Sequence, residues 1–286
     1  MKRTPLPTII ICHGSYHTPT LYTPFLNHLA SQGYEVHCPQ RPTSDLTQLN
    51  VGNTSSPDFD RPPPPTGYPS DAADVAVIQT LLDRLILREN KQVLLVAHSS
   101  GGWVATQAAT PKYQYHRQPS PSTKASAGIL GIFYYGAFLV PVGGSVTSYF
   151  QPEDGSFVVP PFCKAHKHGP EGLLSTVDAA TYMFGQLPRE EGQKWAASLT
   201  AAPIMTGVLT NDAYAALPCG YLVLEEDRAL AAAYQEGMVQ ALNARLRGEG
   251  RSEVVVYRAG TDHSPHLSWI EGLVGVIGEF VRGLER

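Results

Sequence analysis

The chain has 286 residues, of which 43% are hydrophobic and 16% charged, and its formal net charge is −4. This composition excludes intrinsic disorder, which requires low hydrophobicity together with high charge. It also gives no general attraction for nucleic acid or anionic lipid, because both bind through clustered Lys and Arg. We therefore expect a globular protein with a packed core that acts on a small molecule.

The cysteines and the apolar segments bear on cofactors and location. The four cysteines are Cys12, Cys38, Cys163 and Cys219. They lie far apart, with no CxxC pair and no histidine at zinc-finger spacing, so we expect free thiols, no metal and no cofactor. Met1–Pro7 lacks the apolar core of a signal peptide, and Gly128–Val142 is too short and glycine-rich to span a bilayer. These features predict a soluble cytoplasmic enzyme, with oligomeric state left open and a homodimer as one option.

Short β-rich runs alternate with longer helical patterns, which is typical of βα units that build a mostly parallel sheet. The predicted strands are Thr8–Cys12, Tyr34–Cys38, Val93–Ala97, Ile129–Tyr135, Tyr221–Leu224 and Glu253–Tyr257. The predicted helices are Pro19–Gln32, Asp71–Asn90, Leu230–Leu246 and Leu267–Leu284. Val93–Ala97 is a continuous apolar run, as expected for a central strand covered on both faces. The pattern predicts an α/β fold with helices on both faces of the sheet.

Strand character is lost between Pro141 and Pro218, where helical pieces are predicted at Leu173–Tyr182 and Arg189–Leu199. We interpret 141–218 as a helical cap inserted into a core domain formed by 1–140 and 219–286. The aromatic residues of this segment fit either a substrate pocket or the cap's own core, and the second interpretation is favoured. They are Tyr149, Phe150, Phe157, Phe162, Tyr182, Phe184 and Trp195.

Two segments carry no periodic pattern. Pro39–Pro69 is rich in Pro, Ser, Asp and Asn, and its four consecutive prolines at 62–65 favour extended polyproline conformation. Lys112–Ala127 interleaves Tyr, Ser and Pro in a similar way. Loops of this length are either functional lids or surface segments, and the surface interpretation is favoured for both.

The sequence VLLVAHSSGGW, at 93–103, runs from a buried strand directly into a Ser- and Gly-rich turn. A nucleophile elbow needs small residues two positions before and two after its serine, because the strained turn leaves no room for larger side chains. Ser99 meets this requirement with Ala97 and Gly101, whereas Ser100 would place His98 at the first of these positions. Ser99 is therefore the predicted nucleophile, although alanine replaces the first glycine of the G-x-S-x-G pattern. The alternative is an ordinary turn at the end of a strand.

Backbone donors for a substrate oxygen are predicted on both sides of this serine. An elbow directs a helix N-terminus at the site, so the N–H of Ser100 can stabilise developing negative charge. The loop after the first strand turns sharply at His13-Gly14 and presents the N–H of Ser15 to the same oxygen. His13 is expected to be a structural residue of this turn. The candidate substrate-binding residues are Tyr16, His17, His98, Phe138, Tyr182 and Trp195.

A serine hydroxyl needs a base to take its proton, and the base needs an acid that fixes its tautomer. Where a serine lies at such an elbow, the acid and then the histidine follow it along the chain. Asp227 follows one predicted strand and His263 follows the next, so both lie beyond carboxyl ends of strands, where open α/β sheets bind ligands. His263 is the predicted base and Asp227 the preferred acid, with Glu225 as the alternative. Asp262 is too close in sequence to His263 to orient it easily.

Four motifs, HGSYHTP, VAHSSGG, EEDRALAAAYQEGMV and AGTDHSPHLS, occur in this order and cover nearly the whole chain. Together they resemble the small α/β-hydrolases of the plant methylesterase and hydroxynitrile lyase superfamily, and more closely fungal α/β-hydrolase-1 proteins of similar length. The resemblance implies an α/β-hydrolase fold. It also implies an oxyanion hole at Ser15 and Ser100, the acid at Asp227 and the base at His263.

The chain departs from the family patterns at two positions. Ala231 stands in place of a proline, and Ser264 stands where hydroxynitrile lyases carry a lysine, which argues against cyanohydrin cleavage. The predicted function is hydrolysis of a carboxylic ester, lactone or thioester of a small organic molecule through an acyl-enzyme. Two alternatives stay open: a lyase, aldol-type or cyclisation step in secondary-metabolite biosynthesis, and a ligand receptor of the same fold.

Overall fold

The computed structural model describes residues 6–115, 127–152, 154 and 156–284. Most of two segments discussed above, Met1–Pro7 and Lys112–Ala127, therefore lies outside the described residues. The strands are β1 (Thr8–Cys12), β2 (Val36–His37), β3 (Gln92–His98), β4 (Gly128–Tyr135), β5 (Cys163–Ala165), β6 (Leu173–Thr176), β7 (Ala201–Pro203), β8 (Cys219–Leu224) and β9 (Val255–Ala259). The helices are α1 (Thr23–Ser31), α2 (Asp71–Leu82), α3 (Gly101–Ala108), α4 (Val146–Phe150), α5 (Ala179–Tyr182), α6 (Arg189–Ala196), α7 (Ala213–Ala216), α8 (Ala232–Gly248), α9 (Pro265–Ser268) and α10 (Ile270–Leu284).

A parallel sheet of six strands in the order β2-β1-β3-β4-β8-β9 forms the centre of the protein. The predicted α/β fold with a mostly parallel sheet is confirmed. β3 lies inside the sheet and Val93–His98 is buried throughout, which explains its unbroken apolar run. The predicted strand Tyr34–Cys38 is shorter than expected, because only Val36 and His37 pair with β1 at the sheet edge.

Helices cover both faces of the sheet and create two cores. Alternate side chains of β1 enter different cores, because successive residues of a strand point to opposite faces. Ile10 packs in the core that α2, α3 and α8 cover, and Ile9 packs in the core under α1 and α10. Each fully buried side chain of this size contributes about 1.5–3 kcal/mol to stability. Among the described helices, none is both long and apolar enough to cross a membrane.

Three predicted helices differ in detail from the expectation. Pro19–Gln32 begins with a 3₁₀ turn at Pro19–Tyr22 before α1, and Gly33, with φ +94°, follows the helix end as predicted. The helix predicted at Asp71–Asn90 becomes π-helical over Asp83–Arg88, and the C-terminal helix is divided into α9 and α10. Wider or broken turns are not readable from apolar periodicity, which changes little when one turn is wider.

The segment between β4 and β8 contains short helices and also a three-stranded antiparallel sheet in the order β5-β6-β7. The inserted segment is therefore mixed, and the helix predicted at Leu173–Tyr182 is wrong over its first half. Leu173–Thr176 forms the middle strand of this sheet, and only Ala179–Tyr182 is helical. A short apolar run has the same appearance in a buried strand and in a helix, which explains the error. The helix predicted at Arg189–Leu199 is present at Arg189–Ala196.

The proline-rich segment Pro39–Pro69 is irregular, as predicted, but it is not only surface. Leu49 and Val51 are each 1% exposed and pack with Leu173 and Ala201 of the β5-β6-β7 sheet. The segment therefore contacts the inserted region through a small apolar cluster of its own. It also carries Arg41, whose side chain is 1% exposed and reaches the end of β1.

Gly101, the first residue of α3, marks the closest approach of this helix to β1. A Cβ at this position would lie 1.9 Å from the carbonyl oxygen of Cys12 and 2.8 Å from that of His13. Because backbone atoms cannot rotate away, we expect Gly101→Ala to destabilise the protein by at least about 3 kcal/mol. The matched control is Gly237→Ala in α8, where no described atom lies within 4 Å of the new Cβ. We expect this control to gain about 0.5–1 kcal/mol, and equal urea-unfolding midpoints for both variants would contradict the prediction.

Candidate active site

Ser99 lies in a tight turn between β3 and α3. Its φ is +54°, a left-handed conformation that costs a non-glycine residue about 1–2 kcal/mol. The turn is crowded from the other side too, since a Cβ on Gly14 would lie 3.0 Å from the Cβ of Ser99. The loop after β1 therefore passes directly against the Ser99 side chain. This backbone has the strain and crowding of a nucleophile elbow, and an ordinary strand-to-helix turn requires neither.

His263 and Asp227 form a buried pair beyond the ends of β9 and β8. The Nδ1 of His263 donates a hydrogen bond of 2.7 Å to Oδ2 of Asp227, because a carboxylate can only accept. The other oxygen, Oδ1, accepts from the backbone N–H groups of Ala229 at 2.9 Å and Leu230 at 2.8 Å. Three hydrogen bonds thus hold the carboxylate, and in the neutral imidazole the proton on Nδ1 makes Nε2 the acceptor.

Gln235, on α8, is a further support of this pair that sequence reasoning missed. It is fully buried, and its Nε2 donates to Oδ2 of Asp227 at 3.1 Å. The same amide donates to the carbonyl of Leu230 at 2.6 Å and accepts from the N–H of Leu224 at 3.0 Å. It therefore ties the end of β8 to the turn that carries the acid. The helical spacing of the sequence places Gln235 beside buried apolar residues. A polar side chain in that position was the signal by which its role could have been predicted.

The two other carboxylates considered as the acid lie elsewhere. Glu225 is exposed, and its nearest charged partner is Arg258 at 4.0 Å. Asp262 is buried but accepts from the N–H of Gln186 at 2.9 Å and from Oγ of Ser268 at 2.7 Å. It therefore connects the loop of His263 to the inserted segment. The described contacts bring Asp227 to His263 and leave Glu225 in solvent.

Ser15 and Ser100 lie side by side at the end of β1 and the start of α3. Their Oγ atoms are 2.8 Å apart. The carbonyl of Ser15 accepts from Nδ1 of His17 at 2.7 Å, and the carbonyl of Gly14 accepts from Nδ1 of His13 at 2.9 Å. Among the described residues, the N–H groups of Ser15 and Ser100 have no hydrogen-bond partner. Two unused backbone donors are therefore available beside Ser99 for a substrate oxygen.

A cavity of ≈ 460 Å³ opens onto these groups. Ser99 and His263 both line it, and no direct hydrogen bond joins them in the described structure. Its wall includes several residues predicted at the site and three aromatic residues of the inserted segment. These are Ser15, Ser100, Tyr16, His17, Phe138, Phe150, Phe157 and Phe162. The cavity is the size of an ordinary small-molecule site, and aromatic rings form much of its wall.

Tyr182 and Trp195 are not among the residues that line this cavity, and their role as substrate contacts stays a prediction. Both rings pack, partly buried, against the core under α1 and α10. Phe184 is 1% exposed in the same core, whereas the sequence had favoured a separate core of the inserted segment for these rings. The sequence could not separate them from Phe150 and Phe162, because all of them occur in one aromatic-rich insertion.

His98, also predicted as a substrate contact, lies outside the lining of this cavity and has hydrogen-bond partners of its own. Its Nε2 donates to the carbonyl of His263 at 2.9 Å, and its Nδ1 accepts from the hydroxyl of Tyr22 at 2.7 Å. The same hydroxyl accepts from the N–H of Gly14 at 3.2 Å. Side chains alternate along β3, so the ring of His98 lies behind Ser99. It connects the loop of the base to the loop of Ser15.

Cys163 is the second nucleophilic side chain on the cavity wall. Its Sγ lies 3.5 Å from the hydroxyl of Tyr16, and burial raises the pKa of the thiol to about 11. The thiolate, which is the reactive form, is therefore scarce at neutral pH. All four cysteines are free, as the sequence predicted. Ser99 remains the better-placed nucleophile.

The sequence profile of the alpha/beta hydrolase family matches residues 9–276. The chain belongs to the alpha/beta hydrolase family. The expected fold and the family resemblance are both confirmed by this match. No curated protein matches the chain in sequence.

Solved structures of α/β hydrolases superimpose on almost the whole chain. A pyrethroid hydrolase from Sphingobium faniae JZ-2 gives a TM-score of 0.66 at 19% identity, over 96% of this chain and 97% of that one. A methylesterase from Arabidopsis gives 0.63 at 18% identity, over 97% and 99%. Polyneuridine aldehyde esterase gives 0.63 at 14% identity, over 96% and 98%. At these identities the likeness shows the fold alone.

We expect four buried histidines in and behind the site to make the stability of this α/β hydrolase sensitive to acid. Burial lowers the pKa of His13, His98 and His266 well below 6.5, and that of His17 to about 3. The unfolded chain binds more protons below about pH 6.5, so stability is full above that pH and is lost as the pH falls. Each such histidine adds a slope of about 1.4 kcal/mol per pH unit. Urea unfolding between pH 7 and pH 5 should show this loss.

The variant His266→Phe tests the origin of this slope. The ring of His266 stacks on Tyr22 at 4.3 Å, and neither ring nitrogen has a partner among the described residues, so phenylalanine fits the site. We expect a slope shallower by about 1.4 kcal/mol per pH unit. The control is Ser31→Ala on the exposed end of α1, which removes no titratable group and should leave the slope unchanged. An unchanged slope in His266→Phe would contradict the assignment.

Proposed function

We propose that this α/β hydrolase cleaves a carboxylic ester, lactone or thioester of a small organic molecule, with Ser99, His263 and Asp227 as a catalytic triad. The observation that carries the proposal is the common cavity of Ser99 and His263, with the tautomer of His263 held by Asp227. Ser15 and Ser100 also line this cavity, and their backbone N–H groups have no partner among the described residues, which supports the same reaction. The reaction needs no cofactor.

The chemistry proceeds in two halves. His263 Nε2 takes the hydroxyl proton of Ser99 as the oxygen attacks the carbonyl carbon, and the π electrons move to the carbonyl oxygen. The N–H groups of Ser15 and Ser100 bind this oxyanion. His263 then gives the proton to the leaving alcohol or thiol, which leaves an acyl-enzyme on Ser99. Water, deprotonated by His263, attacks the acyl group, the bond to Ser99 breaks, and His263 returns the proton to the Ser99 oxygen as the acid leaves.

The cavity wall favours an apolar or aromatic group next to the reacting carbonyl. Phe138, Phe150, Phe157 and Phe162 line it together with Met205, while Arg228 is a charged residue near the acid. An apolar wall favours substrates that bury more apolar surface against it. Arg228 is the charged Lys, Arg, Asp or Glu residue of the lining, so the cavity has little to bind a highly charged substrate. Three similar structures are named as a pyrethroid hydrolase, a methylesterase and an aldehyde esterase, which supports ester cleavage in a related fold. Residues 141–218 would act as the cap over this cavity.

A screen in isotopically labelled water tests the proposal. The panel contains p-nitrophenyl esters of graded acyl length, aromatic lactones and acyl thioesters, each incubated with the enzyme in H₂¹⁸O. We expect the acid product to carry the label, with aromatic or medium-length acyl groups preferred over acetyl. A product without label would favour the lyase, aldol-type or cyclase alternative, and saturable binding without product would favour a receptor.

A further inference from the structure

We propose that the hydroxyl of Ser15 is a third donor of the oxyanion hole, and that the buried guanidinium of Arg41 holds it in place through Ser100. The inference rests on the proposed ester hydrolysis. It adds a side-chain donor to the two backbone N–H groups already assigned. Ser15 would then be a catalytic residue, and Arg41 and the Ser100 hydroxyl would be positioning groups.

Arg41 is a charged side chain buried directly behind the cavity. It is 1% exposed, and one edge of its guanidinium is bound by Asp74, with Nε and Nη2 each 2.8 Å from Oδ2. Asp74 is itself fully buried and accepts from the hydroxyl of Thr43 at 2.7 Å. A buried ion pair rarely adds net stability over apolar packing, because both charges lose their water. A positioning role of Arg41 at the neighbouring cavity gives a reason for this buried ion pair.

The other edge of the guanidinium faces the site. Nη1 donates to the carbonyl of His13 at 2.7 Å and to Oγ of Ser100 at 2.8 Å. A guanidinium has no acceptor atom, so the Ser100 oxygen must accept this bond. Accepting a bond from a cation makes a hydroxyl a better donor, because hydrogen bonds in a chain polarise one another. The bond from the cation favours Ser100 as the donor to Oγ of Ser15, 2.8 Å away, and the proposal takes this direction.

With this direction, the hydroxyl hydrogen of Ser15 is not used in the chain of bonds from Arg41 through Ser100. Among the described residues, the acceptor for this hydrogen is Sδ of Met205, which lies 3.9 Å from Oγ of Ser15. A thioether is a weak acceptor. Ser15 lines the cavity beside Ser99. When Ser99 attacks a carbonyl, the new oxyanion is a far stronger acceptor than sulfur, and the Ser15 hydroxyl turns to it without giving up its proton. The chain from Arg41 ends in a donor aimed at developing negative charge in a water-poor site.

The first test removes the hydroxyl and restores it. On the best ester of the panel, we expect Ser15→Ala to lower kcat about 100-fold with little change in KM, since the bond forms in the transition state. Ser15→Thr keeps a hydroxyl and should stay within about tenfold of the wild type. Ser100→Ala keeps its N–H but breaks the link to Arg41, and should lower kcat about tenfold. Ser31→Ala, on the exposed end of α1, is the control.

The second test asks whether Arg41 acts through Ser15. Arg41→Met alone leaves Asp74 buried and unpaired, so the double variant Arg41→Met/Asp74→Leu, which removes both charges, is used to preserve the fold. We expect it to lower kcat about tenfold in the wild-type background and to have no further effect on Ser15→Ala. If the double variant lowered kcat by the same factor in the Ser15→Ala background as in the wild type, the role of Arg41 would be overturned. An unchanged kcat in Ser15→Ala would overturn the role of Ser15.

A readout that does not depend on the natural substrate separates this inference from the proposed function. A fluorophosphonate reacts with Ser99 by forming a P–O bond and expelling fluoride, and negative charge grows on the phosphoryl oxygen. We expect Ser99→Ala to abolish labelling and Ser15→Ala to slow it about 100-fold. Normal labelling in Ser15→Ala would overturn the inference alone. An enzyme that labels normally but releases no ¹⁸O-labelled acid would overturn the proposed hydrolysis, with the Ser15 effect still measured on the labelling rate.

Discussion

Replacement of Ser99 by alanine is expected to abolish ester turnover while the protein still folds. Alanine has a Cβ like serine, so the cost of the left-handed backbone at φ +54° is nearly the same in both proteins. The loss is in chemistry, since alanine has no hydroxyl to form the acyl-enzyme. We expect kcat to fall at least about 10⁴-fold, leaving the residual rate that an oxyanion hole and binding provide.

Initial rates and urea unfolding of Ser99→Ala, measured on the same preparation, check both halves of this prediction. Ser31→Ala on the exposed end of α1 is the matched surface control. Ser100→Ala distinguishes the two adjacent serines, because it should retain far more activity than Ser99→Ala. Turnover by Ser99→Ala at a rate near that of the wild type would refute the triad. A lower unfolding midpoint would instead show that the turn needs the serine.

Asp227→Asn is expected to have the second-largest effect. Asparagine keeps the shape of the side chain, and its Oδ1 can still accept from the N–H groups of Ala229 and Leu230. Its amide, however, presents a donor where Oδ2 accepts from Nδ1 of His263. The ring then favours the tautomer with the proton on Nε2, which cannot take a proton from Ser99. We expect kcat to fall about 10⁴-fold near neutral pH, with the fold retained.

The control for this prediction is Glu225→Gln, because Glu225 was the alternative acid in the same turn. Its carboxylate is exposed and lies 4.0 Å from Arg258, so we expect kcat to stay within about twofold of the wild type. Steady-state rates of both variants on one ester decide between the two acids. A larger loss in Glu225→Gln than in Asp227→Asn would reverse the assignment.

Local patterns made much of the site predictable. The apolar run before Ser99, the small residues at Ala97 and Gly101 and the strand ends before Asp227 and His263 are all read along a few consecutive residues. Parallel strands bring their carboxyl ends to one edge of the sheet, so residues that follow different strands meet there. The structure brings Asp227 to His263 and opens Ser99 and His263 onto one cavity.

Groups that act through long-range contacts were not predictable in this way. Arg41 lies in a segment that reads as irregular surface, yet it is buried against Ser100, 59 positions further along the chain. Gln235 reads as one polar position of a helix, and its contact with Asp227 depends on how α8 packs beside β8. His98 reads as part of the elbow motif, and its partners, Tyr22 and the carbonyl of His263, come from distant elements.

The sequence by itself determined the α/β fold, the order of the central strands along the chain and the position of Ser99, because strand alternation and turn sterics are local properties. Only the tertiary structure decided that Asp227 rather than Glu225 contacts His263, and that Leu173–Thr176 is a strand. It also decided that Phe150 and Phe162 face the cavity while Tyr182 and Trp195 pack in the core. Burial and partner choice depend on which elements meet across the fold, and that information is spread over residues distant in the chain.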